Sequence, residues 1–200
     1  MKLYYSPGAC SLASHIVLRE IGMPFQLVAV SLARKTTADG QDFLQVNPKG
    51  YVPVLALDGG GVLTEGPAIL QYLADLRPEL GLAPPNGTLA RYRLQEWLAF
   101  INSELHKSFG PLFDPSAPEA LKERARALLV RRLGYVAGVL EGPYLAGETF
   151  TVADAYLYTV LTWTAHVGPD LAAWPVLAAY VARLAARASI VDAHAAEKAR

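Results

Sequence analysis

Apolar and polar positions along the first third of the chain switch between two periods. Lys2–Tyr5 reads as a short strand, stopped by Ser6-Pro7-Gly8. Leu12, Ile16, Val17 and Ile21 then recur at steps of three or four, which predicts a helix from about Ser11 to Ile21, ended by Gly22 and Pro24. Residues 26–30 form a second strand, and strand–helix–strand implies a right-handed parallel crossover. Residues 52–57 and 62–64 flank Asp58-Gly59-Gly60-Gly61 as a hairpin. A helix over residues 66–76 follows, with Ile69, Leu70, Leu73 and Leu76 as its apolar positions. The order βαβ then ββα predicts a mixed, four-stranded sheet with helices packed on it.

That order is the order of a thioredoxin-like domain, expected over residues 1–77. Pro78, Pro84, Pro85, Asn86 and Gly87 mark a linker at 78–87. From 88 to 200 strand signals vanish, and an all-α domain is expected. Leu94, Trp97, Leu98, Ile101 and Leu105 keep helical spacing, residues 119–140 read as a long helix behind Pro118, and residues 151–165 are apolar on nearly every side, as in a central buried helix. Leu177, Tyr180, Val181 and Leu184 repeat the helical step. Residues 193–200 are expected to be a loosely held tail.

Composition narrows the function classes. Of 200 residues, 52% are hydrophobic and 18% charged, enough to build a core and too apolar for disorder. Lys plus Arg equals Asp plus Glu at 18 each, so no global field favours nucleic acid. No apolar run precedes Ser6-Pro7 as a secretory signal would, and residues 155–165 are too short to span a bilayer. A cytoplasmic protein with no membrane partner is expected. Cys10 is the single cysteine, so the fold has no intrachain disulfide. The four histidines, His15, His106, His166 and His194, lack metal-ligand spacing, and no metal is expected.

Cys10 falls between the first strand and the first helix, where free backbone N–H groups and the helix dipole favour a thiolate. Ala13 stands three residues on, so no second thiol can resolve a mixed disulfide at Cys10. An external thiol must do so, which points to glutathione. Pro53 interrupts a strand; in a thioredoxin-like unit it is the cis proline facing the cysteine, and it turns the Val52 backbone towards an extended peptide. Thr64-Glu65-Gly66-Pro67 opens a helix, so its N–H groups suit a carboxylate and Glu65 suits an ammonium; plain capping would use the same residues. Ser103, His106 and Lys107 are spaced to share one helical face, either as ligand contacts or as a solvated polar stripe. Lys35 alone reads as a surface lysine. Thr151 with Asp154 reads as a capping box of the central helix.

Taken together, the segments YYSPGACSLASHIVLREIG, NPKGYVPVL, LTEGPAILQYLAD, NSELHK and FTVADAYLYTVL resemble a beta-class glutathione transferase over essentially the whole chain. The resemblance implies a thioredoxin-like N-terminal domain plus an all-α domain. It implies a homodimer, with glutathione as co-substrate and a small hydrophobic electrophile as its partner in a detoxifying reaction. It places Cys10 beside the glutathione sulfur, with the Ser11 backbone and His106 as further catalytic groups. Val52 and Pro53 meet the tripeptide backbone, Glu65 and Gly66 the γ-glutamyl end, and Lys35 the glycyl carboxylate. Ser103, Glu104, His106 and Lys107 form the helical contribution, some of it reaching the neighbour's site. Ala99 stands where the family often has asparagine, so one polar contact is missing. Conjugation to electrophiles is the expected reaction, with thiol–disulfide exchange through Cys10 as a second activity. A glutathione-dependent dehalogenase, isomerase or ether-cleaving enzyme, or a non-catalytic ligand-binding protein, are the alternatives.

Overall fold

The computed structural model describes residues 1–198. Its chain divides into two compact units: residues 1–80 together with the segment from Arg187 onward, and Gly81–Ala186.

The first unit is built on a sheet of five strands in the order β3-β2-β1-β4-β5. These are β1 (Lys2–Tyr5), β2 (Gln26–Ser31), β3 (Thr36–Thr37), β4 (Val54–Ala56) and β5 (Val62–Thr64). β1 and β2 run parallel, joined by helix α1 (Ser11–Ile21), and the remaining pairs are antiparallel. The mixed sheet is as expected, but it has one strand more. Thr36–Thr37 pairs with the end of β2 at Val30 and Ser31, a ladder too short to leave a period-two pattern in the sequence. β4 begins only after Pro53, which has no N–H to offer a ladder. Helix α2 (Gly66–Asp75) closes the unit, burying Ile69, Leu70, Leu73 and Ala74. Tyr4, Val30, Phe43, Val52 and Val54 form a core cluster that underlies the cysteine loop.

α1 is buried along its whole first two turns, from Ser11 to Leu18, on polar as well as apolar positions. The reason is a second cover. The chain returns from the helical unit through Arg187, and α8 (Ala188–Lys198) packs on α1 with Ile190 and Ala193 fully buried. This corrects the expectation of a loose tail at 193–200: residues 193–198 are helical and anchored, and 199–200 lie outside the described residues. It also moves this segment out of the helical half read over 88–200. Burying Ile190 alone is worth roughly 1.5–3 kcal/mol. Arg187 clasps Glu20 of α1 with two hydrogen bonds at 2.6 and 2.8 Å, and Ser189 donates to the same carboxylate. Burial pushes the Glu20 pKa up, but the hydrogen bonds from Arg187 and Ser189 outweigh it and hold it below its ordinary value.

The second unit is helical: α3 (Leu89–Phe100), α4 (Gly110–Phe113), α5 (Glu119–Val139), α6 (Val152–Thr162) and α7 (Pro175–Ala185). α6 is the buried axis, with every residue from Val152 to Leu161 inside. Asp154 organises its start. Its carboxylate accepts the Thr151 N–H, the Thr151 hydroxyl, the Leu145 N–H and the Tyr180 hydroxyl, each at 2.8–2.9 Å. Burial pushes the Asp154 pKa up against those four donors. Between α3 and α4 the helix loses its regular period, with a π turn over Ile101–Leu105 and a 3-10 turn over His106–Phe109.

Candidate functional site

In the first unit the chemistry starts from the loop that connects β1 to α1. Ser11 closes this loop on itself: its hydroxyl oxygen accepts the Ser6 N–H at 3.2 Å and donates to the Ser6 carbonyl at 3.3 Å. Gly8 turns through φ +69°, a left-handed conformation that favours glycine. Its N–H donates 2.9 Å to the Glu197 carboxylate on α8. The other oxygen of Glu197 lies 3.0 Å from His15 Nδ1 on α1, and both side chains are buried. Arg19 Nε–H donates to His15 Nε2 at 3.3 Å, so Nε2 must accept and the proton facing Glu197 sits on Nδ1. The loop is therefore tied at both ends, by Ser11 locally and by Glu197 from the far end of the chain.

Cys10 caps α1 without using its side chain as a cap. Its thiol donates instead to the Val52 carbonyl at 3.2 Å. The Val52–Pro53 peptide is cis, as the thioredoxin-like reading requires. Among the described residues the Val52 N–H has no hydrogen-bond acceptor. The thiol and an open backbone donor thus come from one pair of neighbours.

Glu65 sits at φ +69°, unusual for a side chain with a Cβ, immediately before α2. Its carbonyl takes the Ala68 and Ile69 N–H groups, and its side chain makes no cap. Plain capping, the structural use of this glutamate, is therefore not what it does. Its carboxylate reaches Lys49 Nζ at 2.5 Å, and the same ammonium donates to the Thr64 hydroxyl at 2.7 Å. Pro67 has no N–H, and that of Gly66 has no acceptor at the helix start among the described residues. Backbone held off its favoured regions clusters at functional sites. Lys35, also at positive φ (56°), is no free surface lysine. It donates to the Gly50 carbonyl at 3.0 Å and lies 5.5 Å from the Tyr51 ring centroid.

The second unit holds Ser103, Glu104, His106 and Lys107, and here the structure departs from the expected single helical face. The π turn holds Ser103 and Glu104, and the 3-10 turn holds His106 and Lys107, so 3.6-residue spacing does not apply. The exposed Ser103 hydroxyl donates back to the Ala99 carbonyl at 2.9 Å. Glu104 pairs with Arg132 of α5 at 2.6 Å. Lys107 is exposed. His106 is half-buried, its ring 4.9 Å from that of Trp163 at a steep angle, and its Nδ1 lies 2.7 Å from the Tyr156 hydroxyl. Burial, helped by the charge on Lys107, lowers its pKa to about 4.

Sequence reasoning missed Lys49, Glu197, His15, Asn102, Arg132 and Tyr156. Each acts through a partner remote in sequence, at separations no local period reports. The π turn alone left a trace: Asn102, Ser103 and Glu104 crowd three polar residues into one helical turn. Among the described residues no group of three or more metal-binding side chains is gathered, and no helix is long and apolar enough to cross a membrane.

Comparison with known proteins places these features in one family. Residues 8–76 match the model for the glutathione S-transferase N-terminal domain, and residues 100–188 match that for the C-terminal domain. Glutathione S-transferase GstA of Escherichia coli O157:H7 is 50% identical over 198 residues, 98% of each chain. A sphingomonad glutathione S-transferase solved in complex with glutathione superposes with a TM-score of 0.97 at 49% identity, covering all of both chains. The beta-class enzyme of Sphingomonas chungbukensis superposes at 0.95 with 50% identity over 98% of each. Likeness of this extent, in sequence and in both halves of the fold, assigns the chain to the glutathione S-transferase family as an enzyme of the bacterial beta class.

Proposed function

We propose that the first unit holds glutathione as co-substrate and that its thiolate attacks the electrophilic carbon of a small hydrophobic acceptor. Cys10 stands beside the glutathione sulfur, the open Val52 N–H next to Pro53 pairs with the tripeptide as an added strand would, and Glu65 with the Gly66 N–H takes the γ-glutamyl ammonium and carboxylate. Lys35 serves the glycyl carboxylate, its ammonium shared with the Gly50 carbonyl. The helical unit supplies Ser103, Glu104, His106 and Lys107, within one protomer or across a homodimer. The Ser11 backbone and His106 assist the sulfur's ionisation. The observation that carries this reading is the Cys10 thiol held 3.2 Å from the carbonyl of Val52, the residue whose N–H stays open. Leu89 and Tyr92, large side chains left 71% and 60% exposed on α3, support an assembly of two copies. The enzyme works in the cytoplasm without a metal, and Cys10 adds thiol–disulfide exchange as a second activity.

Glutathione should protect the protein against thermal unfolding, because a ligand of the native state alone adds RT ln(1 + [L]/Kd). Glu65→Ala should remove most of that shift, and turnover of a generic electrophile such as an activated aryl halide should fall with it. An undiminished shift in Glu65→Ala sinks this placement of the γ-glutamyl end. Protection without turnover of any electrophile points instead to a ligand-binding protein.

A further inference from the structure

His106, Tyr156 and Asn102 form a chain of hydrogen bonds inside the helical unit whose polarity can be worked out atom by atom. The Tyr156 hydroxyl lies 2.9 Å from Asn102 Oδ1 and 2.7 Å from His106 Nδ1. An amide oxygen only accepts, and a phenol has one proton. With that proton directed at Asn102, the Tyr156 oxygen is an acceptor towards His106, and the proton between them belongs to Nδ1. Nε2 is then a lone pair, with no partner among the described residues. We infer that Tyr156 and Asn102 are positioning residues that lock His106 in the Nδ1–H tautomer and present Nε2 as an acceptor.

The fold holds this arrangement from three sides. Asn102 sits in the π turn, one residue into the wide coil that replaces α-helical spacing, and π bulges are frequent at functional sites. Tyr156 comes from the buried α6 and is 2% exposed, so its phenol ring is fixed by packing. Trp163 packs against the imidazole in a T-shaped contact, ring centroids 4.9 Å apart. The charge on Lys107 opposes a second proton on the ring.

The consequence bears on the function proposed above, and rests on it. A neutral imidazole in this tautomer cannot donate from Nε2 to a thiolate. It can accept a hydrogen bond at Nε2 from the glutathione thiol and so orient that sulfur, while Nδ1–H still donates to Tyr156 and the ring stays neutral. The tautomer of a histidine is decided by the hydrogen bond at its other nitrogen.

Proton-detected nitrogen NMR on protein labelled at its four histidines tests the lock without any substrate, with His106→Gln identifying the resonance. The wild type should show a pyrrole-type Nδ1 and an imine-type Nε2 at neutral pH. Asn102→Leu leaves Tyr156 in place but frees its proton to turn towards Nδ1, and should move His106 to the Nε2–H form. Asn102→Asp, which keeps an acceptor, should not. Tyr156→Phe removes the bond altogether and should leave a mixture of the two forms. Conjugation by Tyr156→Phe and Asn102→Leu should fall about tenfold, in kcat rather than in the KM for glutathione. An Nε2–H tautomer in the wild type overturns the inference whatever the enzyme does. So does an Asn102→Leu spectrum that matches wild type in a folded protein. If the tautomers behave as stated while kcat is unchanged, the lock exists and it is the proposed role of His106 that fails. Should Asn102→Leu not fold, the wild-type spectrum and the conservative Tyr156→Phe change decide alone.

Discussion

The cysteine loop and the His106 turn are built on different principles. The loop is chiefly a backbone device: Gly8 supplies a left-handed turn, the Ser11 hydroxyl bonds the Ser6 main chain, and the Cys10 thiol meets a carbonyl rather than another side chain. The His106 turn is a side-chain device, in which an imidazole, a phenol and an amide determine one another's proton positions within an irregular stretch of helix. A backbone device tolerates the loss of most single side chains, because main-chain N–H and C=O groups survive substitution. A side-chain chain of hydrogen bonds does not, because removing one partner leaves the others unsatisfied.

The widest break comes from Cys10→Ala. Disulfide exchange needs a covalent bond to that sulfur, so a glutathione adduct, seen by mass spectrometry on the oxidised wild type, should vanish completely. Conjugation uses the sulfur of glutathione itself and the backbone donors that remain, and should fall about tenfold or less. Loss of conjugation together with exchange would show that the Cys10 side chain is essential to both reactions.

Glu197→Ala tests the side chain that reaches the loop from the far end of the chain. It strips the acceptor from the Gly8 N–H and from a His15 that has no access to solvent, and should cost about 2–4 kcal/mol in denaturant unfolding. Alkylation of Cys10 should change in rate as the loop is released. A change under 1 kcal/mol would mean that Ser11 alone suffices to hold it.

A smaller effect belongs to pH. The His106 pKa is lowered to about 4 in the folded protein, whereas the unfolded chain has it near the ordinary 6.5. Between those values the unfolded state binds the extra proton, so stability is complete above pH 6.5 and declines as the pH falls towards 4. The loss should be on the order of 2–3 kcal/mol, and the wild type minus His106→Gln difference isolates it from the carboxylates. A difference that does not vary with pH would show that the turn leaves the imidazole open to water. The smallest effect is expected of Ser103→Ala, where an exposed hydroxyl bonds only the carbonyl one turn back: within about 0.5 kcal/mol.

The sequence by itself determined the order of β1, α1, β2, β4, β5 and α2, the α6 axis with its Thr151–Asp154 start, and the place of Cys10, Pro53 and Glu65 at element ends. These are local matters: period, glycine and proline punctuation, and the free N–H groups that every helix start exposes. Tertiary structure alone decided the rest. The helical periodicity of 94–105 promised one face for Ser103, His106 and Lys107. The structure instead has a π turn there, and His106 meets Tyr156, fifty residues away in sequence. The last helix looked like a tail because its hydrophobic periodicity is weak. It is anchored by Ile190, Ala193 and by Glu197, whose partners Gly8 and His15 lie 189 and 182 residues upstream. A hydrogen bond over such a separation leaves no period in the chain, because its energy arises only once folding has brought both groups out of water together.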